Sequence, residues 1–335
     1  MTEKSNLIRQ KNLEKLKVFL FENKKALKAE MSKETGISVV TINSLVKQLV
    51  ADQIFIESKP IQQPLGRPAN EYLFNYDLVH YLLVSIQEKR EPHEKRSLVI
   101  IGKVVNLAGV EKYHTTIDFS TPSLEGLMAA FKDMLQFSVP VEKIGLSIPG
   151  KIDHSIIVSS WDDLFDGWNI EQELARFSDI PITIQNDAHL MTMGFCVEQG
   201  LLEQHTVVGI FYPEKSMPGI TICANGVLLE GNRGLAGEAK YLPALIDSPV
   251  PATDEELGEN LADILSLYNA VIAPDSFVLS SETVNEELLS DRIQKRSLLS
   301  RQPNQPQIYF AQNFQHVLTL GLRWLVSIET TYKLH

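Results

Sequence analysis

Asn186 and Asp187 follow an apolar run, Pro181–Ile184, with Gln185 between, and Glu238 follows a glycine-rich stretch from Gly231 to Gly237. An amide beside a carboxylate offers both donors and acceptors, which suits the neighbouring hydroxyls of a polyol. The C-terminal end of a strand is where α/β folds commonly place a ligand. Glycines let the backbone come close to it. Asp187 also stands just before an apolar stretch, Ala188–Gln199, that reads as a helix, so it is equally placed to cap that helix. Both roles remain open on the sequence.

A second constellation lies near the N-terminus. Val39 or Val40, Ile42, Leu45, Val46, Leu49 and Val50 recur at helical spacing, after a glycine, Gly36, that suits a sharp helix end. Ser38 is a fitting N-cap for that helix. Its other side carries Ser38, Thr41, Asn43, Ser44, Lys47 and Gln48, small polar groups able to meet phosphates or base edges. The alternative is an ordinary helical hairpin. The following ribbon, Ile54–Ile56 and Tyr72–Phe74, has Leu65, Gly66, Arg67 and Pro68 at its tip. There Gly66 permits the turn, and Arg67 is the side chain favoured in a narrow minor groove.

Charge supports that division. The chain of 335 residues has net charge −11, but residues 1–75 carry +4 and the remainder −15. A basic head on an acidic body confines contact with a polyanion to one end. The length suggests more than one domain, expected as a head at 1–75 and a body at 76–335. In the body, strands at Tyr81–Ile86, Leu98–Val105, Ile144–Ile148, Pro181–Ile184, Val207–Phe211 and Gly219–Cys223 alternate with helices at Ser123–Phe137, Ile170–Phe177 and Ala188–Gln199. That alternation implies an α/β architecture. Helical stretches near 255–270 and 310–333 follow. Pro249–Leu257 and Ser297–Gln307 read as loops, and no internal repeat is visible. Cys196 and Cys223, each among apolar residues, are expected to be buried free thiols. Without a leader pattern or a membrane-length apolar run, the expected location is cytoplasmic.

The segments "QKNLEKLKVFL", "ETGISVVTINSLVKQLVADQ" and "GRPANEYLFN" resemble the N-terminal part of ROK-family repressors, a family of bacterial sugar-responsive repressors and sugar kinases. "KIGLSIPGKID", "LFDGWNIEQEL", "IPITIQNDAHL" and "ANGVLLEGNRGLAGEAKYLP" resemble the family's sugar-kinase part, in the family's order. The resemblance implies a winged helix-turn-helix followed by a two-lobed actin/hexokinase-like fold. It makes Asn186, Asp187 and Glu238 partners of sugar hydroxyls, with Asp187 at the position of the kinase general base. Asp163 falls about where the family has a sugar-contacting Asn, with spacing one residue longer to Gly167–Trp168. Trp168 is either a sugar-stacking ring or core.

The departures from the family are as informative. Kinase members hold ATP phosphates with an Asp-x-Gly-x-Thr turn after the first strand. Here that strand leads into Ser85–Ile86–Gln87–Glu88–Lys89–Arg90. The second phosphate loop is replaced by a segment containing Pro213 and Pro218, which have no N–H to donate. Tyr241 stands where many members have a zinc-binding His, and residues 242–270 hold no Cys. Lys240 is either a surface lysine or a partner for an anionic ligand. Val39 and Ser44 replace two basic residues of the family's recognition helix. The reading is a transcription regulator, of the repressor kind, that binds operator DNA. Its effector is a carbohydrate or sugar phosphate, held in a catalytically inactive domain, and the expected assembly is a homodimer or homotetramer. No cofactor, metal or membrane is involved. The alternatives are a ROK sugar kinase, or a ligand-independent regulator answering to a protein partner.

Overall fold

The computed structural model describes residues 3–62, 68–89, 97–203, 205–213, 217–243, 245–246, 249–251, 253–281, 286–296 and 298–334. The head comprises α1 (Glu3–Asn23), β1 (Lys25–Leu27), α2 (Lys28–Thr35), α3 (Val39–Ala51), β2 (Phe55–Ile61) and β3 (Ala69–Phe74). Leu13, Leu16 and Leu20 of α1 are buried together with Met31 and with Ile42, Leu45, Val46 and Leu49 of α3. Gly36 ends α2 at φ 70°, its N–H donating to the Ser32 carbonyl at 3.0 Å. The three strands pair antiparallel in the order β1-β3-β2. The expected wing residues Gly66 and Arg67 lie outside the described residues.

The body opens with a meander, β4 (His80–Lys89), β5 (Ser97–Asn106) and β6 (Glu111–Asp118). There follow α4 (Leu124–Met134), β7 (Lys143–Ile148), β8 (Gly150–Asp153), β9 (Ile156–Ser160), α5 (Ile170–Leu174) and β10 (Ile182–Asn186). Strands β7 and β10 add parallel, giving the order β10-β7-β4-β5-β6, and β8 and β9 form a separate hairpin. Then α6 (Asp187–Gln199) leads to a second sheet of β11 (Thr206–Tyr212), β12 (Gly219–Ala224), β13 (Val227–Leu228), β14 (Ser276–Ser281) and β15 (Gln307–Phe310). Helices α7 (Asp254–Ile272) and α8 (Glu286–Arg296) connect its later strands, and α9 (Phe314–Ser327) closes the chain. The second sheet runs β13-β12-β11-β14-β15. The chain path is therefore duplicated: a three-stranded meander, then two parallel strands added beside its first strand. No sequence repeat accompanies it, because pairing order is set by long-range contact. The loop expected over Pro249–Leu257 turns helical at Asp254, where the Thr253 hydroxyl accepts from the Glu256 N–H at 3.2 Å.

Two helices join the sheets. α9 lies on β4 and β7, α6 lies on β11 and β12, and the two pack on each other. Their backbones touch: a Cβ added at Gly194 would sit 1.9 Å from the Val317 carbonyl oxygen, and one at Gly321 would sit 2.0 Å from that of Leu190. Any larger residue must part them. The head is not a separate core. One continuous apolar cluster runs from Leu16, Leu20 and Phe74 through Tyr81 and Leu83 to α6 and α9. Beyond α9, the Tyr332 ring packs 5.3 Å from Phe21 and 5.1 Å from Phe74, and the Thr331 hydroxyl donates to Glu14 at 2.9 Å. Among the described residues no helix is long and apolar enough to cross a membrane.

Candidate functional sites

The first site is the outer face of α3. Its N-cap is Ser38, whose hydroxyl accepts from the Thr41 N–H at 3.3 Å and lies 2.9 Å from the Thr41 hydroxyl. Asn43, Ser44 and Lys47 are exposed. The buried stripe of Ile42, Leu45, Val46 and Leu49 fixes which side faces out. Gln48 is partly covered and accepts from Arg9 Nη2 of α1 at 2.5 Å. In the ribbon behind α3, Glu57 accepts from Asn70 Nδ2 and the Tyr72 hydroxyl, both at 2.6 Å, which ties β2 to β3.

The second site lies where β10 hands over to α6. Asn186, not Asp187, is the N-cap of α6: its Oδ1 accepts from Ala188 N–H at 3.0 Å, and its Nδ2 donates to the Gly150 carbonyl at 3.0 Å. Asn186 is thus largely taken up by holding the strand end. Asp187, the first helical residue, accepts from the Ala188 N–H at 2.8 Å. Burial pushes its carboxyl up to about 6, opposed by that hydrogen bond and by the charge of Lys151.

Lys151, on β8, is the residue that sequence reasoning missed. It is 3% exposed. Its ammonium donates to the Ala236 carbonyl at 3.1 Å, lies 3.2 Å from His189 Nε2, and is 3.9 Å from Glu238 Oε1. Gln185 Nε2 donates to Glu230 at 2.8 Å, so Gln185 Oε1 is the acceptor, taking the Asn186 N–H at 2.7 Å and His189 Nδ1 at 3.0 Å. That leaves Nε2 as the acceptor from Lys151, and it assigns the tautomer. Burial and the Lys151 charge hold His189 down at about 3, so the ring is neutral. Burial also lowers the Lys151 pKa, against the pull of Glu238, Asp187 and Glu230. Lys151 therefore sees both carboxylates singled out from the sequence, Asp187 and Glu238. The signal was present: one cation in the run "SIPGKID" demands counter-charges, though nothing local says which.

The glycine-rich loop is stitched to the β8–β9 hairpin around this centre. Arg233 Nε donates to Asp153 at 2.9 Å, and Lys240 Nζ donates to Ser159 at 3.1 Å. Lys240 also lies 3.6 Å from Glu238 Oε2, so it faces the site. Asp163 does not join this cluster. Its side chain is exposed on a turn at φ 54°. Trp168 packs edge-on to Phe165 at 5.1 Å, with the core of the first sheet. Cys196 and Cys223 are free and buried, which raises both thiols, Cys223 to about 11.

The strand expected to end at Ile86 continues to Lys89. It pairs Ser85 with Ile101, Gln87 with Val99 and Lys89 with Ser97. Its backbone is committed to a ladder where kinase members open a phosphate turn. Among the described residues no group of three or more His, Cys, Asp or Glu could hold a metal ion. Tyr241 is 64% exposed.

Residues 93–245 match the model of the ROK family. No curated protein sequence matches the chain. Among solved structures, the chain is similar to a ROK family transcriptional regulator described as a homologue of the E. coli Mlc protein. That likeness has TM-score 0.63 and 14% identity, over 94% of this chain and 95% of that one. It is also similar to a ROK family protein from Streptococcus pneumoniae TIGR4 in complex with sucrose, with TM-score 0.58, 16% identity, and 75% and 99% coverage. A third is a ROK family glucokinase from Streptomyces griseus in complex with glucose and AMPPNP, with TM-score 0.54, 16% identity, and 72% and 98% coverage. At these identities the likeness establishes the α/β sugar-kinase-like fold.

Proposed function

From the premise that the chain carries a ROK family domain over residues 93–245, we propose that it is a DNA-binding transcription regulator of the repressor kind. The observation that carries this reading is the outer face of α3. A helix anchored by four buried apolar residues turns Asn43, Ser44 and Lys47 to solvent, follows a short helix across a glycine turn, and precedes an antiparallel ribbon. That is the plan of a winged helix-turn-helix, with α3 as the recognition helix. The basic head on an acidic body supports it. Operator DNA is the partner, read by a homodimer or homotetramer.

The body is then the sensor, for a carbohydrate or sugar phosphate bound beside Asp187 and Glu238. Lys240, turned toward Glu238, supports room for an anionic group. Effector control requires different affinities for two conformations. One observation favours a kinase instead: Asp187, held at about 6, suits a base for a sugar hydroxyl. Against it stand the unbroken β4–β5 ladder and Pro213 and Pro218, since phosphoryl transfer depends on holding the phosphates.

Three measurements test the proposal. Selection of random duplexes by the full-length chain should enrich a site. ATP incubated with the chain and a panel of sugars should give no sugar-dependent ADP. Steady ADP release would establish the kinase instead. A thermal-shift screen with sugars and sugar phosphates should give a stabilising ligand, and a blank screen would turn the sensor toward a protein partner.

A further inference from the structure

Val40 is 81% exposed, and its neighbour Val39 is 50% exposed. Val40 is no stray member of the apolar stripe. At about 100° per residue it lines up with Ser44, Lys47 and Ala51, directly opposite Ile42, Leu45, Val46 and Leu49. It therefore sits on the midline of the outward face, in the first turn of α3. Nothing local calls for a valine there. The cap is supplied by Ser38, and a β-branched residue is a poorer helix former than alanine.

This inference rests on the reading of the head as DNA-binding. The first turn of a recognition helix goes deepest into the major groove. On that groove floor the apolar group is the thymine 5-methyl, and every other distinguishing feature is a donor or acceptor. Lys47 on the same line, and Arg9 held beside α3 through Gln48, supply the positive charge that matches a duplex. We propose that Val40 reads a thymine methyl, with Val39 closing the flank, so that apolar contact stands in for polar base contacts at the entering end of α3. Asn43, Ser44 and Lys47 then read or anchor farther along.

The test uses the full-length chain and a duplex selected by it from a random pool. Each thymine is replaced in turn by deoxyuridine, which removes only the methyl, and binding is followed by anisotropy. The wild-type chain should lose about three- to fivefold in affinity at one or two thymines per half-site. In Val40→Ala the same replacements should cost nothing, while penalties elsewhere persist, as expected for a direct pairwise contact. Val40 is exposed, so Val40→Ala should melt with the wild type, and a melting comparison guards against misfolding. Equal uracil penalties in both proteins, or none in either, overturn the thymine contact and leave the DNA-binding head intact. If no duplex is enriched at all, the head assignment falls, and this contact falls with it. A Val40→Ala chain that changes its self-association but not its DNA binding assigns the valine to a protein contact and overturns the proposal.

Discussion

The outer face of α3 and the centre around Lys151 treat their polar groups in opposite ways. On α3, Asn43, Ser44 and Lys47 face solvent. Around Lys151 the ammonium has three partners within the molecule, His189 has both ring nitrogens engaged, and Asn186 holds two elements together. A surface that meets a partner can leave its hydrogen-bonding capacity to water. A buried centre has no such reserve, and a group left unmatched there is costly. Substitutions of the engaged groups Lys151 and His189 should therefore act on stability, and those on the helix on affinity.

The widest contrast is expected from Lys151→Met. It leaves Glu238 and Asp187 without their buried cation and should lower stability by about 3–5 kcal/mol, as for removal of one partner of a buried pair. Denaturant unfolding of the full chain checks it. A loss under about 1 kcal/mol would mean that the loop relaxes and the centre is not a structural knot.

The next effect is one of pH. His189 is held at about 3 when folded and titrates near its ordinary 6.5 when unfolded. The unfolded chain therefore binds the extra proton, and the contribution of the neutral ring is full above pH 6.5. It is lost as pH falls toward 3, by roughly 3–5 kcal/mol in all. Asp187, raised to about 6, contributes in the opposite sense as pH falls, so the slope is read as the difference in unfolding free energy between wild type and His189→Gln from pH 7 to 4. An unchanged slope in the variant would assign the acid sensitivity elsewhere.

Asp187→Ala is expected to act on the effector. Charge-assisted hydrogen bonds of about 1.5–3 kcal/mol correspond to roughly ten- to hundredfold in affinity. Because the carboxyl titrates at about 6, wild-type effector affinity should weaken as pH drops through that value. Calorimetry at pH 5 and 7.5 checks both, and operator binding without effector should stay intact. Unaltered effector affinity in the variant would move the ligand away from α6.

The smallest effect is expected from Lys47→Ala, with a thermal midpoint close to wild type. Its DNA affinity should be weaker, and the slope of log affinity against log salt shallower by about one unit per lost phosphate contact. A variant that binds and titrates with salt like the wild type would exclude Lys47 from the interface.

Much of α3 was legible because a buried stripe of 3.6 period writes itself into consecutive residues, and the cap at Ser38 and the turn at Gly36 are local chemistry. The alternating order of the body and the position of Asn186 and Asp187 at a strand end were legible for the same reason. The strands β8, β9, β14 and β15 were not. Each is four to six residues long, with too little alternation to announce itself. The centre was hidden by distance: Lys151 finds His189 38 residues away and the Ala236 carbonyl 85 away. The swap of cap from Asp187 to Asn186 depends on where α6 starts, one residue earlier than periodicity suggests.

The backbone contact at Gly194 and Gly321 has a mechanical consequence. Side chains that interdigitate can slide by hopping rotamers, but two main chains in contact have no such slack, so α6 and α9 must move as one beam. At about 1.5 Å per residue, the 14 residues of α9 make an arm of roughly 21 Å. Tilting such an arm by about five degrees carries its far end through about 2 Å. That far end leads to Tyr332, wedged between Phe21 and Phe74 of the head. A displacement of that size exceeds what close-packed rings absorb without changing partners, so a small rotation at Asp187 would arrive at α1 and β3 as a discrete step.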